Sequence, residues 1–432
     1  MLSASASPLS ARVRSAHSPS SPATNPAVTP PSPQFPRTVA SPKLPHNPRL
    51  PLLPPRIAVF AVSLTLRDLD SATCAIVAAY FSSLLTQHVP TYIPLLAIPR
   101  ADVPLRPELT YLLSQTGIDR ADLCTLDDVR SIDPSRTSVF LVDHNVPRGG
   151  LADIWGDDVR RMKVEGIIDH HEDEGVFITQ REGMKRYDVQ KSGSCASLVT
   201  NWISSRPSSH LVSNDPVVQF DISGLLRENV GEMRGVAQLL LSAILIDTAN
   251  LKSKATSHDY RAAQYLTQYI PELNLLNLYD TLRDVKNSID GMSLAEILRR
   301  DYKEFSTPLG KLGVSTVNRP IPVLKNRFSS FEEDVKDFIV ERGLCTHILM
   351  TWNFHDGEFQ RAGMIVSRFE DVVTSFKEKG RDKFGMHGVE SEIGSVVDGW
   401  TEWVYEQDDL DASRKQVAPF VQEVMKSVRG TR

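Results

Sequence analysis

Val164–Gly175 reads VEGIIDHHEDEG: a short apolar run that stops at an aspartate and two histidines, with three more acidic residues behind them. Four to eight residues rich in Val and Ile have the length of a buried strand rather than of a helix. Carboxylates and imidazoles packed against such a strand cost desolvation energy unless a metal ion or a hydrogen-bond network satisfies them. The stretch therefore raises two questions: which sheet the strand joins, and what its charged end holds.

The same texture recurs on either side. RIAVFAVSL (Arg56–Leu64), TYIPLLAI (Thr91–Ile98) and TSVFLVDHN (Thr137–Asn145) read as strands, and SATCAIVAAYFSSLLTQ (Ser71–Gln87) as the helix after the first. Short apolar strands alternating with helical segments indicate βαβ units. Residues 57–260 are thus expected to form an α/β domain with a parallel sheet and helices on both faces, closed by the long apolar helix GVAQLLLSAILIDTANL (Gly235–Leu251). Residues from about 258 to 305 read as connecting helices. Beyond them LGKLGVSTV, THILMTWNF and RAGMIVSRF read as strands, and SFEEDVKDFIVERG and QVAPFVQEVMKSV as helices. These predict a second, smaller α/β domain over 275–430.

Composition narrows the function. Residues 1–56 hold 14 of the 28 prolines and six Lys/Arg with no acid, which leaves −11 on the rest of a chain whose total is −5. The leader cannot bury a core and reads as disordered. Arg12 and Arg14 in an acid-free, Ser-rich start raise mitochondrial import as the alternative, which the proline density opposes. A folded part this acidic excludes a general binder of nucleic-acid duplexes. No apolar run reaches the length of a membrane span. The four cysteines form no C-x-x-C pair, which fits a reducing compartment, the cytoplasm.

Three predicted strands run into charged residues: Asp68 and Asp70 in LRDLDS, Asp143 and His144 in FLVDHN, and Asp169, His170 and His171 in GIIDHH. Asp247 lies within an apolar helical stretch. Singly, each has an ordinary explanation as a cap, a turn residue or a solvated charge. In a parallel sheet, however, the strand carboxyl ends share one edge, so the acids converge. Carboxylates so crowded need cations between them. Carboxylate and imidazole donors without thiolate suit Mn²⁺, Mg²⁺ or Co²⁺, and there are enough of them for two ions that activate a water for attack on phosphorus.

In this order, DLDS, VDHN, DHH and ILIDTANL resemble the DHH phosphoesterase superfamily. KSGSCASLV, LRRDYKEF and SRKQVAP extend the resemblance to its exopolyphosphatase branch, related to manganese-dependent inorganic pyrophosphatases and carrying a DHH-associated second domain. The Gly-Gly-Gly-His signature of RecJ-type nucleases is missing. The resemblance implies an active site in the cleft between the domains, with metal ligation by Asp68, Asp70, Asp143, His170 and Asp247, Asp143 bridging two ions, Mn²⁺ above all. It implies that His171 contacts substrate phosphate, that Asp169 orients the site from behind, and that Lys303, Arg414 and Lys415 bind phosphates of inorganic polyphosphate. Pyrophosphate hydrolysis and nucleotide phosphodiester hydrolysis are the alternatives on the same scaffold. One departure stands out: Ser63–Leu66 is SLTL, with Leu64 where the family has Asn or His. Leucine can neither ligate a metal nor hydrogen-bond a phosphate, which opens a further alternative, an impaired phosphate-binding relative.

Overall fold

The computed structural model describes residues 58–63, 69–85, 92–130, 132–134, 137–147, 150–156, 162–205, 230–389, 394–395 and 399–428, without the side chains of 58–63, 230 and 394–395. The leader at 1–56, Asp68 and the Leu64–Leu66 segment lie outside the described residues.

Strands β1 (Ala58–Ser63), β2 (Tyr92–Leu96), β3 (Cys124–Thr125), β4 (Thr137–Val142), β5 (Lys163–Asp169) and β6 (Arg186–Val189) form a six-stranded sheet in the order β3-β2-β1-β4-β5-β6. Every neighbouring pair is parallel. The chain builds outward from β1 to β3, then returns past β1 to build β4 to β6. That reversal leaves a crevice at the carboxyl ends of β1 and β4, where open α/β sheets bind ligands.

The helices here are α1 (Leu69–Leu85), α2 (Pro107–Thr116), α3 (Leu126–Val129), α4 (Gly150–Trp155), α5 (Cys195–Ser204), α6 (Val230–Asp247) and α7 (Ser257–Thr267). Side chains alternate across a strand, so the sheet is covered on both faces. Leu96, Phe140, Val142 and Ile168 pack into a core with α1, α5, α6 and α7. Leu95, Val139, Leu141 and Ile167 pack on the other face with Leu126, Leu151 and Trp155. Leu69 to Ala79 of α1 are buried without a break, as befits a central helix that is apolar all round. Glu165, the acid within the VEGII run, is buried but satisfied by Lys185 at 2.7 Å and the Tyr92 hydroxyl at 3.1 Å.

Helices α8 (Leu275–Asn287) and α9 (Leu294–Arg300) lead to the second sheet. It contains β7 (Tyr302–Thr307), β8 (Gly310–Val317), β9 (Leu344–His355), β10 (Glu358–Ser367), β11 (Met386–Gly388), β12 (Gly394–Ser395) and β13 (Thr401–Gln407), in the order β11-β13-β10-β9-β8-β7 with β12 on β13. Among the described residues of this sheet only β8 and β9 pair in parallel. Helices α10 (Ile321–Arg327) and α11 (Phe331–Glu341) share one core with α9, and α12 (Glu370–Phe384) and α13 (Arg414–Ser427) share another on the opposite face. Among the described residues no helix is long and apolar enough to cross a membrane.

Three expectations are corrected. Tyr302–Thr307 is an edge strand and not the end of a helix, because α9 stops at Arg300 and the β-forming Tyr, Phe and Thr pair with β8; Lys303 is therefore a strand residue. Asp70 stands on the first turn of α1, not at a strand end. The helix expected to reach Leu251 ends at Asp247, since Ala249, Asn250 and Leu251 are all left-handed, with φ of 47°, 58° and 63°. Three successive non-glycine residues in that region are strained, and such strain gathers at functional sites.

Candidate active site

The cluster grows from the ends of β4 and β5. Asp143 follows β4 immediately and is 3% exposed, with a left-handed φ of 62° that turns its carboxylate toward β5. Its Oδ1 lies 3.2 Å from His170 Nε2 and 3.8 Å from His171 Nδ1, and its Oδ2 accepts from the Ser71 hydroxyl. One ligand atom from each of Asp143, His170 and His171 lies within 4.8 Å of the others, a group that could hold a metal ion. The residues fit such an ion: oxygen and imidazole nitrogen donors, no thiolate, and imidazoles whose other nitrogens are already engaged. His170 donates from Nδ1 to the Ser192 carbonyl at 3.1 Å, and His171 from Nδ1 to Asp169 Oδ1 at 2.8 Å. His170 thus turns its Nε2 to the Asp143 and Asp70 carboxylates, where an ion would sit among them, and the Asp169 bond of His171 leaves its Nε2 unused.

Electrostatics match. Burial pulls the His170 imidazolium down, but Asp143 and Asp70 outweigh it and lift its pKa from 6.5 to about 10. Asp169 raises His171 in the same way. His144 points elsewhere: it is half-buried, bonds the Val142 carbonyl, and desolvation lowers its pKa to about 4.

Asp70 is 1% exposed and sits over the amino end of α5, taking the Cys195 N–H on Oδ2 at 2.7 Å and the Ala196 N–H on Oδ1 at 2.8 Å. The Cys74 thiol adds a contact to Oδ1 at 3.3 Å. A carboxylate is stabilised there by the helix dipole and the free amides. With two partners on Oδ1 and one on Oδ2, its remaining lone pair belongs to Oδ2, the atom 3.9 Å from His170 Nε2.

Two residues that sequence reasoning missed hold this arrangement. Asn145 is 4% exposed; it donates to Asp169 Oδ2 at 2.6 Å and the Glu172 carbonyl at 2.9 Å, and accepts from the Glu174 N–H at 3.0 Å. It clamps the loop after DHH, whose acids Glu172 to Glu174 are exposed as expected. Asp259 on α7 is wholly buried. Its Oδ1 accepts from the Ser192 hydroxyl, the Ser194 N–H and the Ser197 hydroxyl, and its Oδ2 from the Gly193 N–H and from the Thr256 N–H and hydroxyl. Gly193 is required there, because a Cβ would lie 2.6 Å from the Thr248 methyl. Asp259 so pins the loop that carries both the Ser192 carbonyl on His170 and the α5 amides on Asp70.

Two family profiles match the chain: "DHH family, N-terminal domain" over residues 61–244 and "DHHA2 domain" over residues 280–424. The chain thus carries a DHH-family domain over 61–244 and a DHHA2 domain over 280–424. It is 29% identical over 370 residues to a Schizosaccharomyces pombe protein described as "Putative exopolyphosphatase", covering 84% of this chain and 89% of that one. It is 23% identical over 295 residues to the human "Exopolyphosphatase PRUNE1", covering 67% of this chain and 58% of that one. It is 27% identical over 215 residues to a Streptococcus pyogenes "Probable manganese-dependent inorganic pyrophosphatase", covering 49% and 59%.

The remaining predicted residues lie further along the chain. Asp247 closes α6 and is half-buried, one residue before Thr248, which borders the Gly193 loop; it is not in the group within 4.8 Å. In the DHHA2 domain, Arg414 and Lys415 are the first two residues of the 14-residue helix α13, capped by Ser413. They line a cavity of about 430 Å³ with Asp301, Thr316, Trp352 and Arg361. Arg414 is tied to the Asp301 carboxylate at 2.7 Å and carbonyl at 2.9 Å, whereas Lys415 is exposed. Lys303 is half-buried on β7, two residues beyond Asp301. An anion at a helix carboxyl end and two cations at a helix amino end each oppose the helix dipole, by about 0.3–1 kcal/mol apiece. Asp247, Arg414 and Lys415 are thus placed where a ligand of opposite charge relieves the cost.

Proposed function

We propose that this chain is an exopolyphosphatase, which cleaves the terminal phosphoanhydride bond of inorganic polyphosphate and releases orthophosphate. The observation that carries the reading is the meeting of Asp70, Asp143, His170 and His171 at the crevice of a parallel sheet. The fungal and human relatives' names support it. In the reaction a water oxygen adds to the terminal phosphorus, the bond from that phosphorus to the bridging oxygen breaks, and the shortened chain leaves with the proton balance made up by water.

The metal-binding part is assigned to 57–260 and the phosphate-binding part to 275–430, with substrate in the cleft between them. Asp143, His170 and Asp70 would hold divalent ions, joined by Asp68 and Asp247; Asp143 is suited to bridge a pair. Manganese is proposed because the bacterial relative is named for it and because the donors are oxygen and imidazole. Bound there, divalent ions supply Lewis acidity, lowering the pKa of a water and offsetting phosphoryl charge.

The chain's own residues do the rest. Asp169, fixed by Asn145, holds His171 Nδ1 so that Nε2 faces the substrate phosphate. Arg414 is pre-oriented by Asp301 and can grip phosphate oxygens with its remaining N–H groups, while Lys415 and Lys303 add compact charge. The four cysteines are free thiols, consistent with a cytoplasmic setting. Incubation with Mn²⁺ and a substrate panel tests this: orthophosphate from long-chain polyphosphate supports it, and turnover of pyrophosphate alone would move the assignment to pyrophosphatase.

A further inference from the structure

The cavity at Arg414 and Lys415 does not stand alone. Asp301, Thr316 and Trp352, which line it, also line a second cavity of about 230 Å³ between the two domains. Its other walls come from Arg106 and Glu108 of the first domain and from Lys286 and Arg300 of α8 and α9. Across both cavities six cations face two acids, in a chain whose net charge is −5.

The cations are built in. Arg106 donates to the Leu105 carbonyl at 3.3 Å and the Arg300 carbonyl at 3.1 Å. Arg300 donates to the Ser288 carbonyl at 2.9 Å and to the Lys286 carbonyl. These bonds fix the guanidiniums in advance, which lowers the entropy lost when a ligand binds. They also crowd like charges. Burial lowers the Arg300 pKa, Glu108 opposes this, and Arg106 and Arg319 add to it. Glu108 lies 3.9 Å from Arg300 and is 2% exposed, so it balances only part of the charge.

Three groups lack hydrogen-bond partners, one of them the buried Glu108 Oε2, which has only Arg300 at 3.9 Å. Among the described residues nothing pairs with Lys286 Nζ, and the Thr316 hydroxyl, on the wall common to both cavities, is buried with no hydrogen-bond partner. A buried donor in that state costs free energy that an acceptor would recover. A chain of phosphates, each carrying negative charge and several acceptor oxygens, answers the cation excess, Lys286 and Thr316, while Glu108 stays with Arg300.

We propose that this second cavity is a separate phosphate compartment, which takes distal phosphates of a polyphosphate chain whose nearer phosphates lie at Arg414 and Lys415, so that Arg106, Lys286 and Arg300 set a preference for long chains. The assignment rests on the polyphosphate reading above. Thr316 and Trp352 form the passage between the compartments. Arg106 belongs to the first domain and Arg300 to the lead into the second, so a long chain would contact both.

The test is the ratio of kcat/KM for long-chain polyphosphate to that for tripolyphosphate, in the full chain with Mn²⁺, before and after Lys286→Gln. Losing one charge-assisted contact should lower that ratio about three- to tenfold. An unchanged ratio in a variant that melts as the parent does would overturn the proposal. The second measurement is calorimetric binding of the two probes without metal, with Thr316→Val as a second variant. Preferential weakening of long-chain binding in both variants supports the compartment. Equal weakening of both probes by Lys286→Gln, or none, overturns it. Because binding is read without turnover, a parent protein that releases no orthophosphate refutes the exopolyphosphatase reading while leaving the calorimetry to decide the cavity.

Discussion

Replacing Asp259 with Asn tests whether the loop beneath the metal cluster is held as described. Each carboxylate oxygen takes three hydrogen bonds, from Ser192, Ser194 and Ser197 on one side and from Gly193 and Thr256 on the other. An amide can keep one oxygen in place, but its NH₂ then faces backbone N–H groups that can only donate, Ser194 on one side or Gly193 and Thr256 on the other, while the hydroxyls there must turn to accept. A buried donor left without an acceptor costs about 1–3 kcal/mol, and such costs are not additive. We expect Asp259→Asn to destabilise the first domain by about 3–5 kcal/mol, in the upper tail for point substitutions. For a domain of that size this lowers Tm by roughly 6–20 °C. The effect should reach function, because the loop presents the Ser192 carbonyl to His170 and the α5 amides to Asp70. Displacing groups that orient metal ligands weakens affinity by about 10–100-fold. Thermal unfolding and Mn²⁺ titration measure both. Ser197→Ala, which removes one donor and leaves the carboxylate, should cost only about 1 kcal/mol. A variant Asp259→Asn that melts within about 2 °C of the parent and binds Mn²⁺ equally would refute the reasoning.

Other expectations follow from the same geometry. Asn145→Ala frees Asp169 and the loop after DHH, so Mn²⁺ affinity should fall about tenfold, measured by calorimetry; unchanged affinity would show that Asp169 holds His171 unaided. In metal-free protein His170, raised from 6.5 to about 10, contributes stability that is complete below pH 6.5 and lost as pH rises toward 10. Melting in chelator should therefore fall across that window, and a flat profile would contradict the Asp143–His170 contact. Cys74, Cys124 and Cys195 are buried and Cys345 is half-buried, so a thiol reagent should modify Cys345 ahead of the other three until the protein unfolds; early reaction of several thiols would contradict the core packing.

The first sheet was legible because its strands are apolar runs bounded by charge, as at Val164–Asp169, and parallel pairing follows from the helices between them. Asp143, His170 and His171 were legible for the same reason, since ionisable residues stood directly against strand ends. Asp70 was legible as a member of the cluster but not as the acceptor over α5, because that contact joins residues 125 apart in the chain. Asp259 left only a local trace. Thr256 and Asp259 form a capping box at the start of α7, a pattern visible in sequence, yet its four partners in the Ser192–Ser197 segment belong to tertiary structure. Strand β7 was misread because DYKEF follows a helical, charge-rich stretch, and its pairing with β8 is set by the sheet rather than by its composition. The charge placements at Asp247, Arg414 and Lys415 gain meaning only once the helix ends are known.

The most direct test of the central claim is orthophosphate release from long-chain polyphosphate by the purified chain with Mn²⁺, set beside Asp143→Asn. Asn tolerates the left-handed conformation at this position as Asp does, so the substitution removes charge without adding backbone strain. The account predicts release by the parent that chelator abolishes, and a loss of at least about 100-fold in kcat for Asp143→Asn. No release by a folded, Mn²⁺-loaded parent, or full activity in Asp143→Asn, would contradict it.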